Sequence, residues 1–169
     1  MNLANWITST RFLLVPFIYW NLTNGTKSGI GWALLLLFVA GMTDVLDGWA
    51  ARARNEVSEL GKTLDPLADK MVIFGSLLAL AIRWQLPAWL VGIYLVKEVV
   101  QVTAGYFLLR KYRKLIPANG WGKASTFSFF LGFGMFFIYR PIGFGLLAIA
   151  IALSVYAFYT YYLAFKKFE

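Results

Sequence analysis

The sequence predicts an all-α polytopic membrane protein with six transmembrane helices around a cytoplasm-facing polar cavity, and three observations lead there. Of its 169 residues, 60% are hydrophobic and 14% charged, against about 25% charged in soluble domains. The mean hydropathy is +0.65. The apolar residues also fall into six runs separated by polar or charged turns. Crossing about 30 Å of hydrocarbon takes about 20 helical residues, so the length holds six spans. With no repeat or low-complexity tract, residues 1–169 read as a single membrane domain.

Asn2 to Thr8 reads as an interfacial lead-in, with Trp6 at headgroup depth and Arg11 just inside. Span one is expected from Thr10 to Trp20, followed by a polar turn from Asn21 to Ser28. Arg11 interrupts this run and no small-x-small site follows, so it is read as a retained span and not a cleavable signal. Span two runs from Gly29 to Arg52, and a charged stretch to Lys62 leads to span three, Thr63 to Trp84. Pro66 is placed in its first turn, where proline is tolerated. Span four covers Pro87 to Leu109, ahead of the basic loop Arg110 to Lys114. Span five is Lys123 to Tyr139, with Gly132 and Gly134 marking a bend or packing notch. Arg140-Pro141 turns the chain into span six, which ends near Phe165.

There is no Cys and no His. This excludes disulfides, thiolate or imidazole metal sites, a Ser-His-Asp triad and a Cys nucleophile. Sixteen Lys and Arg against eight Asp and Glu give a net charge of +8. In so apolar a chain, that excess suits an anionic leaflet and phosphate-bearing ligands rather than nucleic acid. Twelve of the 16 basic residues fall on one side if the N-terminus, Arg52 to Lys70, Arg110 to Lys123 and the C-terminus share it. The positive-inside rule makes that side cytoplasmic. The basic run Arg110 to Lys114 reads first as a topology determinant and anionic-lipid surface.

Asp44, Asp47, Asp65 and Asp69 lie inside or at the edge of apolar spans two and three. An Asp at a helix centre costs about 2.5 to 3.5 kcal/mol, so their presence needs a reason. Asp44 and Asp47 are i,i+3 and Asp65 and Asp69 are i,i+4, so each pair shares a helix face. In an antiparallel hairpin, Asp47 and Asp65 lie about 7 and 6 Å from the turn, and Asp44 and Asp69 about 12 Å. Four carboxylates then converge at two levels. Arg52 and Lys70 offset part of the charge, and two divalent cations would cancel it. Oxygen-only ligands suit Mg²⁺, Mn²⁺ or Ca²⁺, and two such ions clamping a phosphate centre serve in-line phosphoryl transfer. Gly48, Ala51 and Gly61 leave room for a bulky ligand, and Arg52 offers a fork for phosphate oxygens. Two other readings of the aspartates are a structural ion-pair network and, because intramembrane carboxylates also mark transport pathways, a carboxylate-lined ion transporter.

At these residues the chain resembles the CDP-alcohol phosphotransferase (CDP-alcohol phosphatidyltransferase) family, whose signature is D-x2-D-G-x2-A-R-x8-G-x3-D-x3-D. All eight fixed positions match: Asp44, Asp47, Gly48, Ala51, Arg52, Gly61, Asp65 and Asp69. The resemblance implies a six-helix, homodimeric enzyme of the cell membrane that displaces CMP from a CDP-linked donor with an alcohol. It makes Asp44, Asp47 and Asp65 metal ligands for two Mg²⁺ or Mn²⁺ ions. Asp69 would lie beside them as a further ligand and general base. Gly48, Ala51, Arg52 and Gly61 would form the CDP site.

Gly61 to Lys70, with Asn5, Thr8, Arg11 and Pro16, is similar to the phosphatidylglycerophosphate synthase branch. Its donor is CDP-diacylglycerol and its acceptor glycerol 3-phosphate. Cardiolipin synthases of the same family, whose acceptor is phosphatidylglycerol, share Leu64 to Lys70, so this stretch does not separate the two. Where the synthase branch usually has Arg-Glu in span four, this chain has Lys97-Glu98. A phosphorylated acceptor needs further cations, for which Arg11, Lys97, Arg110 and Lys123 are the candidates. Arg11 is equally suited to anchoring at the interface, and Lys97 to neutralising Glu98 or snorkelling.

Overall fold

A computed structural model describes the backbone of residues 3–54, 59–112 and 120–166, and the side chains of 10–43, 67–105, 107 and 120–163. The described chain is all-α, with six helices: α1 Leu3–Asn24, α2 Lys27–Arg54, α3 Glu59–Trp84, α4 Ala88–Tyr112, α5 Gly120–Ile138 and α6 Arg140–Lys166. Stretches long and apolar enough to cross a membrane occur in α4, Ala88–Gly105, and α6, Arg140–Leu163, and a shorter apolar stretch, Lys27–Thr43, in α2.

The elements follow the expected order, with corrected ends. The lead-in continues span one, and the polar turn shrinks to Gly25 and Thr26 because the side chains of Asn21 and Thr23 fold back onto α1. Asn21 Nδ2 donates to the Phe17 carbonyl at 2.9 Å and Thr23 Oγ1 to that of Tyr19 at 2.9 Å. Gly25, at φ 67°, turns the chain where a side chain would be strained. Thr26 Oγ1 then accepts from the Gly29 N–H at 3.0 Å, an N-cap for α2. Span three starts earlier than expected, at Glu59, whose charge suits a helix N-terminus. Pro66 is therefore not in the first turn but the eighth residue of α3. There its ring deletes the hydrogen bond that would reach the Lys62 carbonyl.

The chain forms two compact units, Met1–Leu86 and Pro87–Glu169. In the first, α1 packs against both α3 and α2, while among the described residues α2 and α3 meet at few points. Arg11 pairs with Asp69. A Cβ on Gly75 would lie 3.0 Å from Val15 Cγ1, and Trp84 Nε1 donates to the Leu22 carbonyl at 3.0 Å. Residue numbers rise together along both helices, so α1 and α3 run in the same direction. The start of α1 and the start of α3 thus share an end of the unit, as the basic-residue count requires. Ile18, Leu22, Leu37, Val72, Leu77 and Leu80 fill the interior.

In the second unit α5 and α6 pack closely and antiparallel. Gly132 is the expected notch: a Cβ there would sit 2.8 Å from Leu147 Cδ2, whereas Gly134 faces open space. Ser125 Oγ donates to the Ala150 carbonyl at 2.8 Å, and Trp121 meets Tyr156 edge to face at 5.1 Å. Tyr94 of α4 meets Phe129 of α5 at 5.3 Å. Lys97 reaches Ser154, and Gly105 lies beside Tyr161, so α4 and α6 run parallel. The ends of α4 and α6 and the start of α5, where Arg110, Lys111, Lys123 and Lys166 cluster in sequence, therefore share an end of this unit.

Candidate active site

The charged residues of spans two and three lie along the end of α2 and the beginning of α3. Asp44 stands ten residues before the last residue of α2, and Asp69 ten residues after the first of α3. Asp47 and Asp65 stand seven and six residues from the same ends. At 1.5 Å per residue these are levels at about 15 Å and about 9 to 11 Å, farther from the helix ends than expected because both helices are longer, but matched in pairs. Asp44, Asp47, Gly48, Ala51, Arg52, Gly61 and Asp65 have helical backbone. Their side chains lie outside the described residues.

Asp69 is the member of the set whose surroundings are described. Its side chain is 28% exposed, and its Oδ1 accepts from Arg11 Nη1 in an ion pair between α3 and α1. Arg11 is 1% exposed, among the largest fully buried side chains of the chain. A buried charge removed from its partner is strongly destabilising, so this pair fixes α1 against α3. Sequence reasoning offered Arg52 and Lys70 as counter-charges and missed Arg11 in this role. The available signal was a lone arginine in an apolar span, which requires a carboxylate partner.

Of the other acceptor candidates, Lys97 is held by its surroundings. Its ammonium donates to Glu98 Oε1 and, at 2.7 Å, to Ser154 Oγ of α6. It also lies 5.7 Å from the Tyr94 ring centroid. The groove that it borders, about 480 Å³ and shared with Ile93, Val96 and Val155, is apolar and offers a phosphate no second ligand. Neutralisation of Glu98 is the reading that this geometry favours. Replacing Lys97 with Met breaks its buried ion pair with Glu98 and costs about 3 to 5 kcal/mol. Ser154→Ala removes one intramembrane hydrogen bond, worth about 0.6 kcal/mol. Thermal unfolding in detergent therefore shows a large fall for the first and a shift of a few degrees for the second; equal small shifts contradict the clamp. Lys123 is exposed in the first turn of α5, and the Arg110 side chain lies outside the described residues.

An all-α chain with two apolar helices of membrane-crossing length, and with four aspartates on α2 and α3, has the make-up of a membrane protein. The family profile described as CDP-alcohol phosphatidyltransferase matches residues 1–156, and the chain belongs to that family. It is 35% identical over 136 residues to a cardiolipin synthase (CMP-forming) of Streptomyces coelicolor, covering 79% of this chain and 63% of that protein. It is 34% identical over 140 residues to a CDP-diacylglycerol–glycerol-3-phosphate 3-phosphatidyltransferase of Bacillus subtilis, covering 75% and 72%. A protein of the same description from Aquifex aeolicus is 35% identical over 130 residues, covering 75% and 70%. The chain thus spans less than two thirds of the Streptomyces relative's length.

Proposed function

We propose that this chain transfers a phosphatidyl group from CDP-diacylglycerol to an alcohol, most simply glycerol 3-phosphate, with release of CMP. The observation that carries this reading is the complete set of eight signature positions on the adjoining ends of α2 and α3. The six helices cross the membrane, the polar cavity faces the cytoplasm, and the working form is a homodimer.

An all-carboxylate donor set fits hard divalent cations, and the one described member, Asp69, is partly exposed and paired with Arg11. Asp44, Asp47, Asp65 and Asp69 would hold two Mg²⁺ or Mn²⁺ ions, which when bound supply charge neutralisation to the pyrophosphate and the departing CMP. Arg52 forks onto a phosphate oxygen. Gly48, Ala51 and Gly61 leave space for the nucleotide. Asp69 accepts the proton of the acceptor hydroxyl as its oxygen bonds to phosphorus, and the bond from phosphorus to CMP breaks. With Arg11 and Lys97 both engaged inside the protein, Lys123 and Arg110 are the remaining cations for an acceptor phosphate.

The likeness to a cardiolipin synthase favours a second reading, with phosphatidylglycerol as acceptor. Incubating the detergent-solubilised chain with CDP-diacylglycerol and either glycerol 3-phosphate or phosphatidylglycerol separates them. CMP release is expected with glycerol 3-phosphate. Release with phosphatidylglycerol alone moves the chain to the second reading, and release with neither overturns both acceptor assignments.

A further inference from the structure

We infer that Arg11 is a positioning residue for Asp69: it fixes the orientation in which that carboxylate meets the acceptor and does not itself bind acceptor. The inference rests on the reading of Asp69 as the proton-accepting group. Two observations carry it. Arg11 is 1% exposed, which leaves no surface for a soluble phosphate to touch. Its Nη1 is instead spent on Asp69 Oδ1, across from α1 to α3.

The pair is held by the packing that follows it along both helices. Arg11 and Asp69 stand at one end of a register that continues through Val15 beside Gly75 and the Trp84 indole on the Leu22 carbonyl. With α1 locked along α3 in this way, the guanidinium has a fixed origin. A planar guanidinium tied to one oxygen restricts rotation of the whole carboxylate, so the direction of the second oxygen is set as well. Asp69 lies between the polar end of α3 and its apolar body, 28% exposed, where an untied carboxylate would turn toward water. A misplaced catalytic group costs rate even when every reactant is still bound. Lysine in place of Arg11 supplies the charge from a flexible point donor but no plane.

The test uses the full chain in detergent with CDP-diacylglycerol and the acceptor that the unsubstituted protein accepts. Arg11→Lys and Arg11→Gln are compared by kcat, acceptor KM and binding of CDP. Loss of a group that orients a metal-site carboxylate costs about 10- to 100-fold. We expect kcat to fall about 100-fold in Arg11→Gln and about 10-fold in Arg11→Lys. CDP affinity and acceptor KM stay within twofold. A rise in acceptor KM at unchanged kcat identifies Arg11 as a direct acceptor contact and overturns the inference. Loss of CDP binding in both variants assigns it to folding alone and also overturns it. Failure of the underlying reading is a different result: the unsubstituted protein then releases no CMP.

Discussion

Asn in place of Asp47 or Asp69 stops CMP release from CDP-diacylglycerol while the chain still enters the membrane. The substitution keeps shape and removes charge. A metal-bound phosphate centre draws several kcal/mol of transition-state stabilisation from its cations, and each 1.36 kcal/mol is tenfold in rate. The expected loss is about a thousandfold or more in either variant. The two differ in stability, however. Asp69→Asn breaks the buried ion pair with Arg11, and breaking such a pair costs about 3 to 5 kcal/mol, so that variant also unfolds at lower temperature. Thermal unfolding alongside turnover separates the contributions. Undiminished turnover in both variants contradicts the mechanism.

The second large effect comes from metal removal. Four carboxylates on α2 and α3 carry a formal charge of −4, which Arg11 offsets in part at Asp69, and any pair brought within 4 Å would repel by about 1 to 4 kcal/mol according to the local dielectric. Chelation with EDTA is expected to abolish CMP release, and added Mg²⁺ or Mn²⁺ to restore it. Turnover that persists through chelation and dialysis contradicts a cation-dependent site. A transporter gives no CMP under either condition.

Much of this was legible in the sequence because the determinants are local. Six apolar runs gave six helices in the expected order, and the pairing of levels between Asp44 and Asp69 and between Asp47 and Asp65 follows from counting along α2 and α3. The ends were less legible. Asn21 and Thr23 look like turn residues, yet their side chains bond back to helix carbonyls and extend α1. Pro66 resembles a start signal but lies in the body of α3. What the sequence concealed was pairing at long range. Nothing adjacent to Arg11 announces that its partner is 58 residues away on α3, and nothing beside Lys97 points to Ser154, 57 residues away on α6. From sequence both cations suit an acceptor phosphate and an internal or interfacial role equally, because an isolated basic residue in an apolar span shows its need for an anion but not which anion meets it.

In the proposed site, carboxylates from α2 and α3 jointly hold two divalent ions. Mn²⁺ binding to the purified chain in the presence of CDP, followed by electron paramagnetic resonance, tests it most directly. The account predicts two ions per chain, close enough for their spins to couple, with the coupled signal lost in both Asp44→Asn on α2 and Asp65→Asn on α3. An unsubstituted chain that binds no Mn²⁺, or variants that keep the coupled pair, would contradict it.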